Sequence, residues 1–126
     1  MQTKLLYLSD LKFNLDVWKR ELKFHKTEMD EFEEKLGDIA IRNLGTDAMA
    51  PLESYQNKVI REREVIGQLI QRIRKKNKLI DTVDMNEDID GRLRSQQSML
   101  RDDMKTYIKL HYQLKEEMMD FFLKWL

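Results

Sequence analysis

The chain has two histidines, His25 and His111, and what they could do depends on which groups join them. An imidazole does its chemistry beside a carboxylate, and on helices that fold back on one another register decides which carboxylate that is. A first hairpin pairing positions that sum to about 88 sets His25 opposite Glu62 and Arg63, and a second summing to about 174 sets His111 opposite the same Arg63. His25, Glu62 and His111 are therefore expected to share one layer. Two imidazoles and a carboxylate are a donor set for Zn, Mn or Fe, and helix bundles hold such sites in their interiors. Without metal, the same three residues form a hydrogen-bonded layer in which Glu62 accepts from both rings and fixes register. The metal-free layer is the expectation, with no cofactor; a metal-binding bundle is the alternative.

Other segments offer less. The Glu-x-x-His spacing of ferritin-like di-iron proteins is absent, since His25 is followed by Glu28 in the reverse order. Asn86, Asp88, Asp90, Gly91 and Leu93 resemble positions one, three, five, six and eight of an EF-hand calcium loop, but Gln97 stands at position twelve, where that family places a bidentate Glu. Acidic residues ahead of a helix account for the same segment by opposing the helix dipole. RIRKKNK, residues 72–78, carries five positive charges, yet it ends a helix where cations suit the dipole and has no aromatic interleaved for base stacking. Nucleic acid is not an expected partner. No Gly-rich phosphate loop, nucleophile elbow or cysteine is present, so no enzyme activity is expected.

The elements that must position the histidines are written in three seams. Leu8, Leu11, Leu15, Trp18, Leu22, His25, Met29, Phe32, Leu36 and Ile39 follow at alternating steps of three and four, which is a heptad stripe. Leu52, Tyr55, Val59, Glu62, Ile66, Leu69, Ile73, Lys76, Ile80 and Val83 form the second, widened by Ile70 and Asn77. Leu93, Gln97, Leu100, Met104, Tyr107, His111, Leu114, Met118, Phe121 and Trp125 form the third. Helices of about 4–44, 51–83 and 90–125 follow, with Gly45 closing the first and Pro51 opening the second. Lys76, Asn77 and Gln97 are polar seam positions that disfavour wrong registers. The expected fold is an all-α, antiparallel, up-down-up three-helix bundle with coiled-coil-like heptad packing, one domain over 1–126. In architecture only, it resembles a spectrin-type repeat.

Composition fits that frame. The 126 residues carry 23 Lys+Arg against 23 Asp+Glu and no Cys, so whole-protein attraction to anionic partners is not expected and a reducing compartment is permitted. The opening LLYL is too short for a signal-peptide core or a membrane span. A cytoplasmic protein is the expectation.

Two apolar stripes lie off the seams. Leu6, Phe13, Val17 and Phe24 recur on the first helix, and Ile108, Tyr112, Met119 and Phe122 on the third, which runs parallel to it. Contiguous exposed apolar surface marks a partner. These eight residues are the expected interaction surface, and a homodimer burying them, or a helix of another protein in the same groove, is the expected use. The functional expectation is a non-enzymatic helical interaction or structural module.

Overall fold

Apolar side chains spaced three and four apart occupy one stripe of a helix and must bury it against another. The structure, a computed structural model, describes residues 2–43, 45–82 and 91–126, with side chains described for 9–43, 45–82 and 97–126. Three helices form: α1 Gln2–Arg42, α2 Met49–Asp81 and α3 Gly91–Trp125. With 41 residues, α1 is about 60 Å long at 1.5 Å per residue.

The seams turn inward as the periodicity requires. Leu11, Leu15, Leu22, His25, Met29, Phe32, Leu36 and Ile39 are buried on α1; Leu52, Val59, Glu62, Ile66, Leu69, Ile73, Lys76 and Ile80 on α2; Gln97, Leu100, Met104, Tyr107, His111, Met118 and Phe121 on α3. Trp18, Tyr55, Ile70, Leu114 and Trp125 pack against this core from its margin. Leu8, Val83 and Leu93 have side chains outside the described residues. Each fully buried aliphatic side chain contributes about 1.5–3 kcal/mol, whereas an exposed ion pair contributes about 0–1 kcal/mol. The seams therefore hold the fold, and the ion pairs between helices mark its register.

That register runs up, down, up. Lys12 pairs with Asp81, and Arg63 pairs with Asp30 at 2.6 Å and with Glu33, which makes α1 and α2 antiparallel. Arg72 to Asp103 at 2.7 Å and Lys58 to Glu117 at 3.6 Å do the same for α2 and α3. Gln97 donates to the Leu11 carbonyl at 3.0 Å and Arg42 to the Leu126 carbonyl at 3.2 Å, so α1 and α3 run parallel and are tied at both ends. α1 packs mostly against α2. α3 rests across their groove on large side chains, among them Met104, Tyr107, His111, Met118 and Phe121.

The first link sets one register differently from the sequence expectation. The Lys12–Asp81 and Arg63–Asp30 partners sum to 93 in both cases, five more than the expected value, because the turn is centred on Thr46 and Asp47. Gly45 takes φ +75°, the left-handed conformation that only glycine adopts without strain. The Thr46 hydroxyl donates to the Asn43 carbonyl at 2.7 Å and accepts the Ala48 amide at 3.2 Å, stitching the turn shut. Pro51 lies in the first turn of α2, where its missing N–H costs no helical bond. The second hairpin keeps its expected register, with both ion pairs summing to 175.

Candidate functional site

His111 projects from the middle of α3 into the core and is 1% exposed. Its Nδ1 lies 2.6 Å from Glu62 Oε1 of α2 and its Nε2 lies 3.3 Å from Glu28 Oε1 of α1. Each contact is a hydrogen bond when one partner of the pair carries the proton, on the ring nitrogen or on the carboxyl. Lys115, one turn further along α3, donates to the other Glu28 oxygen. Burial alone would raise the Glu28 pKa, but Lys115 and His111 together outweigh it and hold the carboxyl below its ordinary 4.5.

His25 meets this group from α1 and is fully buried. Its ring stacks on His111 with centroids 3.7 Å apart and planes 8° from parallel. The Tyr112 ring stands edge-on to both. His25 Nδ1 and the Tyr107 hydroxyl share a 2.9 Å hydrogen bond. Burial, with the neighbouring carboxylates of Glu62, Glu28 and Glu21, raises the Tyr107 pKa and keeps the phenol neutral. His25 Nε2 has no hydrogen bond among the described residues, although Glu21 Oε1 lies 3.1 Å away. That carboxylate oxygen is close enough for Coulomb attraction but lacks hydrogen-bond alignment. Burial and then the charge of His111 lower the His25 pKa below its ordinary 6.5, against the pull of Glu21, Glu28 and Glu62.

The expected layer thus forms in part. His111 meets both His25 and Glu62, but of the two rings Glu62 bonds that of His111 and not that of His25. The five-residue shift in the first hairpin is the reason, since it moves α2 about a turn and a half along α1. The carboxylate brought together with the two imidazoles is Glu28: a ligand atom from each of His25, Glu28 and His111 lies within 4.8 Å of the others. Sequence reasoning missed Glu28 as a member because it sits just off the seam. Its signal was present, for Glu21, His25 and Glu28 stand at i, i+4 and i+7 on one helix face.

The expected interaction surface also forms in part. Phe13, Val17, Phe24, Tyr112 and Met119 are 67%, 45%, 60%, 46% and 47% exposed. Val17 and Phe24 share a helix stripe with Glu21 and Glu28, and Glu28 reaches α3 through Lys115; Tyr112 and Met119 flank that same lysine. Both stripes therefore border the α1–α3 seam. Phe122 departs from the expectation: it is buried, its ring edge-on to Phe32 at 5.5 Å. A helix lying in the groove of two others turns a wider arc inward than a single seam, so Phe121 and Phe122 both face the core. Ile108 is partly buried against the core for the same reason. The Leu6 side chain lies outside the described residues.

A cleft the sequence did not announce runs between α2 and α3, about 570 Å³ in volume and lined by Val65, Leu69, Tyr107, Leu110 and Leu114 with Arg61, Arg72 and Glu117 at its rim. It opens where α3 stands away from α2. Of the basic run, Arg72 pairs with Asp103 and Lys76 is buried, which removes both from any outward cationic face. Residues 86–90 of the calcium-loop-like segment, and the side chains of 91–96, lie outside the described residues, and Gln97, its twelfth position, is committed to the Leu11 carbonyl inside the bundle. Among the described residues no helix is long and apolar enough to cross a membrane. No protein-family model, no curated protein and no solved structure matches the chain.

Proposed function

We propose that the chain is a non-enzymatic helical interaction module that pairs with a second copy of itself through the surface along the α1–α3 seam. The supporting observation is the alignment of five large apolar side chains, Phe13, Val17, Phe24, Tyr112 and Met119, along that one seam while exposed. Single exposed hydrophobes are ordinary on any surface, whereas an aligned set is a cost in water that a partner removes. A twofold dimer presents the same patch twice, so a strip on two parallel helices can meet its own copy without a second complementary surface.

The test is solution mass by light scattering for wild type and for Phe13→Glu with Phe24→Glu. Both side chains point to solvent, so the double variant should keep its helical circular dichroism while its mass halves. Leu110→Glu, which charges the α2–α3 cleft instead, should leave the dimer intact. A dimer that survives the double substitution but falls apart with Leu110→Glu would move the interface to the cleft, and a monomeric wild type would overturn self-association.

A further inference from the structure

We propose that His25, Glu28 and His111 form a binding site for one divalent first-row transition-metal ion, with zinc as the ion whose chemistry the donors suit best. The inference is independent of self-association, since it rests on the core and not on the surface. Two imidazoles and a carboxylate are the borderline donors that such ions select, and three protein ligands leave one position of a tetrahedral ion to water. Their ligand atoms already lie within 4.8 Å of one another. Both rings are buried, so the site is screened from the many hydrated ions that exposed carboxylates attract without consequence.

The second observation is the state of the histidine nitrogens. In metal sites an imidazole binds through one nitrogen while the other donates to a carboxylate or hydroxyl that fixes the ring. Here His111 Nδ1 is engaged by Glu62 and His25 Nδ1 by Tyr107. The Tyr107 hydroxyl accepts as readily as it donates, so Nδ1–H with a free Nε2 lone pair is open to His25. The nitrogen left over on His111 faces Glu28, and the one left over on His25 is buried without a hydrogen bond among the described residues, the Glu21 carboxylate standing 3.1 Å away out of alignment. Buried polar atoms in that condition are the exceptions in folded proteins, and a ligand is one of their explanations.

The arrangement also states what binding must change. Lone pairs in two nearly parallel ring planes do not converge on one point, so the 8° stack must open. His25 is the less tightly held of the two rings, because its one hydrogen bond runs to a neutral phenol, whereas carboxylates hold His111 on both sides. Lys115 holds the second oxygen of Glu28, so its ammonium draws charge from the carboxylate and, one carboxylate away, repels an arriving cation.

The experiment titrates Co²⁺, as a coloured probe, and then Zn²⁺ into chelator-treated full-length protein, following visible absorption, calorimetry and the histidine ring signals by NMR. One equivalent should bind, with cobalt bands of low coordination number that zinc displaces and with His25 ring signals shifting as the stack opens. Glu28→Gln should weaken affinity at least tenfold, Glu62→Gln should weaken it about 10–100-fold by loosening the His111 ring, and Lys115→Met should tighten it. The Lys115 variant keeps the test sharp if the buried substitutions disturb folding, because a purely structural layer predicts no gain in metal affinity from losing an ion pair. Failure of the wild-type protein to take up a saturable equivalent, uptake unchanged in folded Glu28→Gln, or no tightening in Lys115→Met would overturn the proposal.

Discussion

Two stacked imidazoles in a closed core make the charge of one depend on the charge of the other. His25 is disfavoured as a cation first by burial and then by His111, while Glu21 and Glu28 from α1 and Glu62 from α2 pull the other way. The net shift is downward, so in metal-free protein the unfolded chain takes up a proton near pH 6.5 that folded His25 resists. More protons on the unfolded state below that pH means stability falls as pH falls. The expected outcome is a thermal midpoint that drops from pH 7 toward pH 5, with a shallower drop in His25→Asn. Glu28 acts in a lower window: its folded pKa is held beneath 4.5, so its contribution disappears only in more acid solution. Equal slopes for wild type and His25→Asn between pH 7 and 5 would remove His25 as the cause. Phe122 carries the other prediction at this scale. Because it is core and not surface, Phe122→Ala should cost about 3–5 kcal/mol by chemical denaturation, and Phe122→Glu should unfold the chain instead of merely separating copies.

At the scale of the element, the first link deserves a measurement of its own. Gly45 at φ +75° has open space around a would-be Cβ, so steric crowding plays no part and only backbone conformation opposes a side chain there. Gly45→Ala should cost about 1 kcal/mol in equilibrium unfolding, while a neutral outcome would mean that the turn relaxes. The same turn marks the limit of what the sequence made legible. Helix positions and inward faces follow from spacing alone, which is why His25, Glu62, Lys76, Gln97 and His111 could be placed on seams beside the leucines. How far one helix slides along its neighbour is decided by the few residues of the link, and the Thr46 stitch there has no periodic signature. The slide of five residues replaced Glu62 with Glu28 beside His25. In the same way, heptad reading treats each helix as meeting one partner, and so misplaced Phe122, which α1 covers from the side.

For the whole molecule, the polar group formed by His25, Glu28, Glu62, Tyr107 and His111 crosses the bundle near the middle of all three helices. Apolar core extends from it toward both ends: Leu11 and Leu15 with Ile73 and Ile80 toward one, Leu36 and Ile39 with Leu52 and Met118 toward the other. A continuous leucine seam could slip by a heptad and meet new leucines at modest cost, but here a slip would set imidazole and carboxylate against hydrocarbon and leave buried polar atoms unpaired, at about 1–3 kcal/mol for each. The group thus makes the dry halves mutually exclusive in register while letting them differ in strength. Fraying that starts at the end holding Gln97 must break the histidine contacts before it can spread to the end holding the Gly45 turn, and the reverse also holds. Amide hydrogen exchange should accordingly separate into two protection tiers that meet near residues 25, 62 and 111, and a single uniform tier would contradict this. One long zipper would open from whichever end is weaker; with its catch at mid-length, this one opens as two short ones, and the apolar strip over the α1–α3 seam straddles the catch.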